Sequence, residues 1–145
     1  MRPYDDQVKD ALLSSNPLAD LRKWDRVPLV ENHDLRMDEA MNEARCRWPE
    51  FARAFQIRSS DQRFAVKAAF RDDENSDGEW MWVEVLALPA GVAEGRLLND
   101  PVHVRGIRKG DTVRDPTTTL GDWIYNDGDS RRGGFTEAVL RKLNP

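Results

Sequence analysis

Five residues stand at the spacing of a calcium loop. Asp73, Asn75, Asp77, Gly78 and Glu84 satisfy the pattern D-x-[DN]-x-[DN]-G-x5-E at every specified position. The chemistry is sound in principle: short carboxylate and amide oxygens wrap a hard cation, the glycine makes the turn, and the twelfth residue closes the shell bidentately. That geometry needs a helix on each side. Here Glu84 lies inside the run Glu79-Trp80-Met81-Trp82-Val83-Glu84-Val85-Leu86-Ala87-Leu88, and Pro89 would cut short any helix leaving the loop. The expectation is an acidic hairpin loop with no metal.

Other candidate chemistry is sparse. Gly133-Gly134 precedes a helical segment, and the first amides of a helix attract anions, with Arg131 and Arg132 adjacent. Lys67 lies among Ala65, Ala68 and Ala69, which leaves room for a shallow pocket where it could pair with Asp122 or Glu84; a solvated face is the plainer reading. Asn99, two residues before Pro101, and Asp122, before Trp123, stand at strand ends, where such side chains usually bond turn amides. His33 and His103 have no Cys or Glu at ligand spacing, and Cys46 lies between Arg45 and Arg47 on a helix. No catalytic residue and no cofactor is assigned.

The elements that must position these groups follow from periodicity. Residues 5 to 15 carry Val8, Ala11 and Leu12 at helical spacing, Leu18, Leu21 and Trp24 suggest another turn or two, and Val27 to Val30 is extended. Residues 1 to 36 read as an appendage. Met37, Ala40, Met41, Ala44 and Trp48, then Phe51, Ala54 and Phe55, predict an amphipathic helix over 35–57, interrupted near Trp48-Pro49. Phe64, Val66, Ala68 and Phe70 alternate as a half-buried strand. The apolar run 79–88 is the central strand. Strands follow at 92–98, at Thr112-Val113-Arg114 and at 117–125. Residues 126–134 read as an exposed loop, and Phe135 to Leu143 as a terminal helix. Helix, several hairpin-spaced strands, helix describes an α+β domain over 37–145 with an antiparallel sheet of about five strands. On the central strand Trp80, Trp82 and Glu84 share one face, Met81, Val83 and Val85 the other. The tryptophans are either core or, with Trp123, an aromatic recognition platform.

The totals set limits. The chain has 145 residues, enough for one domain, with 33% charged and 39% apolar residues and a net charge of −4. The charges alternate in sign with no basic stripe, which argues against nucleic acid. One cysteine permits no internal disulfide and fits a reducing compartment. No leader-like apolar segment and no run of about twenty apolar residues is present, so the expectation is a soluble cytoplasmic protein away from membranes. The oligomeric state is left open.

From Met37 onwards the chain resembles the YegJ-like family of uncharacterised bacterial proteins, a domain of unknown function. Ala40, Ala44-Arg45, Phe51, Phe64-x-Val66-Lys67, Glu79-x-x-Trp82-Val83-x-Val85, Gly95-x-Leu97-x-Asn99-x-Pro101, Lys109-Gly110-Asp111-x-Val113, Asp122-Trp123 and Gly133-Gly134-Phe135 carry the resemblance. It implies a compact α+β domain and no particular reaction. Mixed charge, sheet tryptophans and the lack of an acid–base pair then favour a non-catalytic module for a protein partner, regulatory or immunity-type. The alternative is a small-anion binder or enzyme using 126–134 with Lys67 and Asp122.

Overall fold

The computed structural model describes residues 35–143, apart from residues 74, 76 and 77 and the side chain of residue 143. The segments read above at 5–15, 18–24 and 27–30, and His33 and Asp77, lie outside the described residues. Helix α1 spans Leu35–Cys46 and α2 spans Trp48–Gln56. They are separate because Pro49 has no amide to donate to the preceding turn; Glu50 N–H instead returns to the carbonyl of Arg47 at 3.0 Å.

Six strands follow, one more than periodicity suggests: β1 Phe64–Phe70, β2 Glu79–Ala87, β3 Val92–Leu97, β4 Thr112–Pro116, β5 Asp122–Asp127 and β6 Ser130–Gly133, and helix α3, Phe135–Leu143, ends the fold. The sheet runs β4-β3-β2-β1-β5-β6 and every neighbour is antiparallel. The sixth strand occupies the stretch expected to be an exposed loop. Gly128 takes a φ of +63° in a two-residue turn joining Asp127 to Ser130, as tight hairpins require. The residues expected to open the last strand, 117–121, instead form its approach.

That approach constrains the sheet's shape. β4 and β5 run parallel, four strand spacings apart, which is roughly 19 Å on a flat sheet. They are also offset along the strands. Six residue steps reach at most about 21 Å, and the link spends part of that on a turn from Thr119 N–H to the Pro116 carbonyl. The sheet must therefore coil so that 117–121 can cross it, and Leu120 is buried in the core on the way.

Both faces of the central strands are covered. On one, Phe64, Val66 and Ala68 of β1 join Met81, Val83 and Val85 of β2, Trp123 of β5, and Phe51 and Phe55 of α2. Phe64 meets Phe51 edge-on at 5.3 Å and stacks on Tyr125 at 4.9 Å. On the other, Ala65, Trp82 and Ile124 pack together beside buried Lys67 and Asp122. Edge strand β4 ends in Asp115 and Pro116. Asp115 shares the core side of the strand with Val113. An inward carboxylate and a proline are both obstacles to another strand adding there. Burial pushes the Asp115 carboxyl up to about 6.

Candidate functional site

The structure gathers Lys67, Asp122 and Thr136 into one buried cluster. Cross-strand register places Lys67 opposite Asp122, and the chain's turn into α3 brings Thr136 over both. The Lys67 ammonium donates to the Thr136 hydroxyl at 3.1 Å, which donates to Asp122 Oδ2 at 2.6 Å. Asp122 Oδ1 also receives the amides of Trp123 at 2.8 Å and Phe135 at 3.1 Å, and Oδ2 receives that of Thr136 at 2.8 Å. Burial pushes the Asp122 carboxyl up; Thr136, Lys67 and the backbone amides pull the other way. Lys67 is thus no solvated surface residue. Trp80 covers this corner: its ring centroid is 5.8 Å from the Lys67 nitrogen, and a Cβ on Gly121 would come within 2.8 Å of it.

The anion site expected at the start of the last helix is filled from within. The amides of Phe135 and Thr136 end on the Asp122 carboxylate, so α3 is capped by a side chain from the far end of β5. Arg131 is committed to the fully buried Glu137 at 2.7 Å, whose other oxygen meets Arg141 at 2.8 Å. Gly133 and Gly134 are required for shape. Their φ values are +88° and +75°, and a Cβ on Gly133 would lie 2.1 Å from the Trp123 carbonyl oxygen.

The aromatic platform is not formed. Trp82 and Trp123 are buried on opposite faces of the sheet, because Trp82 opposes Lys67 whereas Trp123 opposes Val66, one residue out of phase. Trp123 donates its indole N–H to the Ala44 carbonyl at 2.8 Å.

The described ends of the calcium pattern, Asp73 and Glu84, have other partners. Asp73 Oδ1 accepts the Asn75 amide at 2.8 Å, a local turn. Glu84 lies on β2, five residues and roughly 16 Å beyond Glu79, paired with Arg63 at 2.6 Å. Among the described residues no three His, Cys, Asp or Glu side chains are grouped to hold a metal.

Periodicity missed a second carboxylate device. The buried Glu79 side chain accepts the amides of Val102, His103 and Val104 at 2.8–3.1 Å. Asp72 takes the next two, Arg105 and Gly106, at 2.9–3.0 Å. Five consecutive amides are thereby held by the β1–β2 hairpin. Asn99 Oδ1 accepts the Trp82 amide at 2.6 Å, as a strand-end residue should; among the described residues its buried Nδ2 has no hydrogen-bond partner.

The described surface also carries a groove. It holds about 330 Å³ and lies between α2 and the turns beyond β2 and β4, lined by Trp48, Ala52, Phe55, Gln56, Arg58, Leu88, Gly91 and Thr117. Thr117 fixes its far wall by donating its amide to the Gly91 carbonyl at 2.9 Å. Arg58 sits over Phe55, its guanidinium carbon 3.8 Å from the ring centroid, and donates one N–H to the Phe55 carbonyl at 2.8 Å. Ile57 beside it is exposed. Trp48, placed by helical spacing on the apolar face, does pack partly buried against the core, stacking on Phe51 at 4.7 Å, and its remaining surface forms a wall of the groove.

The fold and these clusters define a single-sheet antiparallel α+β protein in which buried Asp122, Glu79 and Glu137 are bonded within the chain. Residues 34–143 match the family described as "Uncharacterized protein conserved in bacteria (DUF2314)", and the chain belongs to that family. It is 29% identical over 100 residues to "Uncharacterized protein YegJ" of Escherichia coli (strain K12), an alignment covering 69% of this chain and 63% of the relative's length. No solved structure matches. No described helix is long and apolar enough to cross a membrane.

Proposed function

We propose that the domain is a non-catalytic binding module that grips a protein partner, in a regulatory or immunity-type role, and that the groove beside α2 is its contact surface. The observation that carries this reading is a contrast. Asp122, Lys67, Glu79 and Glu137 are buried and bonded within the fold, whereas Trp48, Leu88 and Arg58 line open space. Aromatic and arginine side chains around a partly apolar depression are typical of recognition hot spots. The small-anion or enzyme reading through 126–134, Lys67 and Asp122 draws no comparable support, since Asp122 already occupies the helix start.

The test is capture from bacterial lysate with the full chain and with Ala52→Arg, which fills the groove from an incompletely buried position of α2. A protein retained at near-equal stoichiometry by the wild type and lost with Ala52→Arg, whose melting temperature should be unchanged, supports the module. Equal retention by both chains, or none by either, overturns it.

A further inference from the structure

The groove carries one cation and no acid. Arg58 is the charged residue of its lining. One N–H of Arg58 goes to the Phe55 carbonyl and the guanidinium sits over the Phe55 ring; no carboxylate among the described residues pairs with it. Packing on the ring and a backbone bond fix the fork in place before anything binds, which lowers the entropy lost when it forms further bonds. Trp48, Phe55 and Leu88 supply the apolar part of the wall, with polar Gln56 and Thr117 beside them. A guanidinium anchored over a ring still presents the planar donor fork that matches a carboxylate bidentately.

Addition of a partner strand to the nearby sheet edge is disfavoured by Asp115 and Pro116 on β4. Recognition here must therefore come from side chains in the groove rather than from a backbone ladder.

Taking the binding-module reading as its basis, we infer that the groove receives an acidic-apolar segment of the partner: one large apolar side chain between Trp48, Phe55 and Leu88, with an Asp or Glu side chain a few residues away on Arg58. The complementary charges set which segments enter, and the apolar side chain supplies the buried area.

The experiment is a selection of random phage-displayed peptides on the intact chain, followed by fluorescence anisotropy with the synthetic winners. Enriched peptides should hold Asp or Glu within about four residues of Leu, Phe or Trp. Their affinity should fall about ten-fold with Arg58→Ala, or when the peptide's acid becomes its amide. Arg58→Lys should recover only part, because an ammonium is a point charge. Ala52→Arg should abolish binding.

Winners that need the groove but bind Arg58→Ala as tightly as the wild type overturn the acidic segment and leave the module intact. Winners indifferent to Ala52→Arg, or an empty selection, also overturn the segment; the module is then decided separately by the lysate capture. Circular dichroism of each variant guards against loss of fold, and Arg58, exposed beyond the end of α2, is replaceable without disturbing the core.

Discussion

The hydroxyl of Thr136 stands between Lys67 and Asp122, donating to the carboxylate at 2.6 Å and accepting from the ammonium at 3.1 Å. All three groups are buried. A threonine at the second position of the last helix thus joins that helix to the neighbouring strands β1 and β5. Its role is to hold opposite charges in register inside the protein.

Removing the carboxylate should loosen the whole domain. Asp122→Ala strips α3 of its cap and leaves the Lys67–Thr136 pair without its acceptor. Breaking one side of a buried charge pair typically costs about 3–5 kcal/mol. Urea unfolding should show that loss, and a double cycle with Lys67→Met should recover part of it, because the buried charge that Asp122 offsets is then also removed. Native stability for Asp122→Ala would contradict the structural role.

Glu79→Gln should free one loop and leave the sheet standing. Three amides converge on that carboxylate, and a neutral amide side chain is a weaker acceptor that cannot serve them all. Hydrogen exchange at residues 102–104 should quicken by about five-fold or more, for a local loss of about 1–3 kcal/mol. Protection within β1 and β2 should persist. Uniform loss of protection would instead mean that Glu79 holds the sheet.

Asp115 should make stability fall as pH rises. Its folded carboxyl titrates at about 6, above the roughly 3.9 of an unfolded aspartate. The native state therefore binds more protons than the unfolded state between those values, so ionisation favours unfolding. Asp115→Asn should remove this slope. Between pH 4 and 6.5 the variant should gain on the order of 1 kcal/mol relative to wild type, a figure discounted for the residue's partial exposure. Parallel stability curves for the two proteins would show that the burial of Asp115 has no such effect.

Millimolar calcium should leave tryptophan emission and melting temperature unchanged. Trp80 and Trp82 lie inside the stretch that the loop pattern would recruit, yet Glu84 is bound to Arg63. A saturable spectral change on titration would mean that the hairpin rearranges around a cation.

Much of the architecture was legible because it is written in apolar period. Phe64, Val66 and Ala68 alternate, the run 79–88 is too apolar to be anything but central, and Pro49 interrupts a helical stripe. The sixth strand was not legible, since Ser130-Arg131-Arg132-Gly133 has no apolar face and is a strand only because β5 lies beside it. The polar clusters were half legible. Asp122 and Asn99 stood out as strand-end residues, and Lys67 as a charge among alanines. Nothing in local spacing could announce that Asp122 caps a helix beginning at Phe135, or that Glu79 gathers the amides of residues 102–104. Those contacts depend on strand pairing: the β5–β6 register sets the start of α3 beside Asp122, and β3 beside β2 returns the following loop to Glu79. The tryptophan platform failed on register: a one-residue phase difference between β2 and β5 sends Trp82 and Trp123 to opposite sides.

The order in which the strands are made has a consequence for the growing chain. β1 is the inner neighbour of β5, yet β5 is synthesised after β2, β3 and β4. Until it emerges from the ribosome, the nascent meander exposes the unpaired flank of Phe64–Phe70, an adhesive edge. Lys67, set in the middle of that strand, is then the one charge along it. The residue that later meets Thr136 in the interior would first keep the half-made sheet from pairing with its neighbours on the same message.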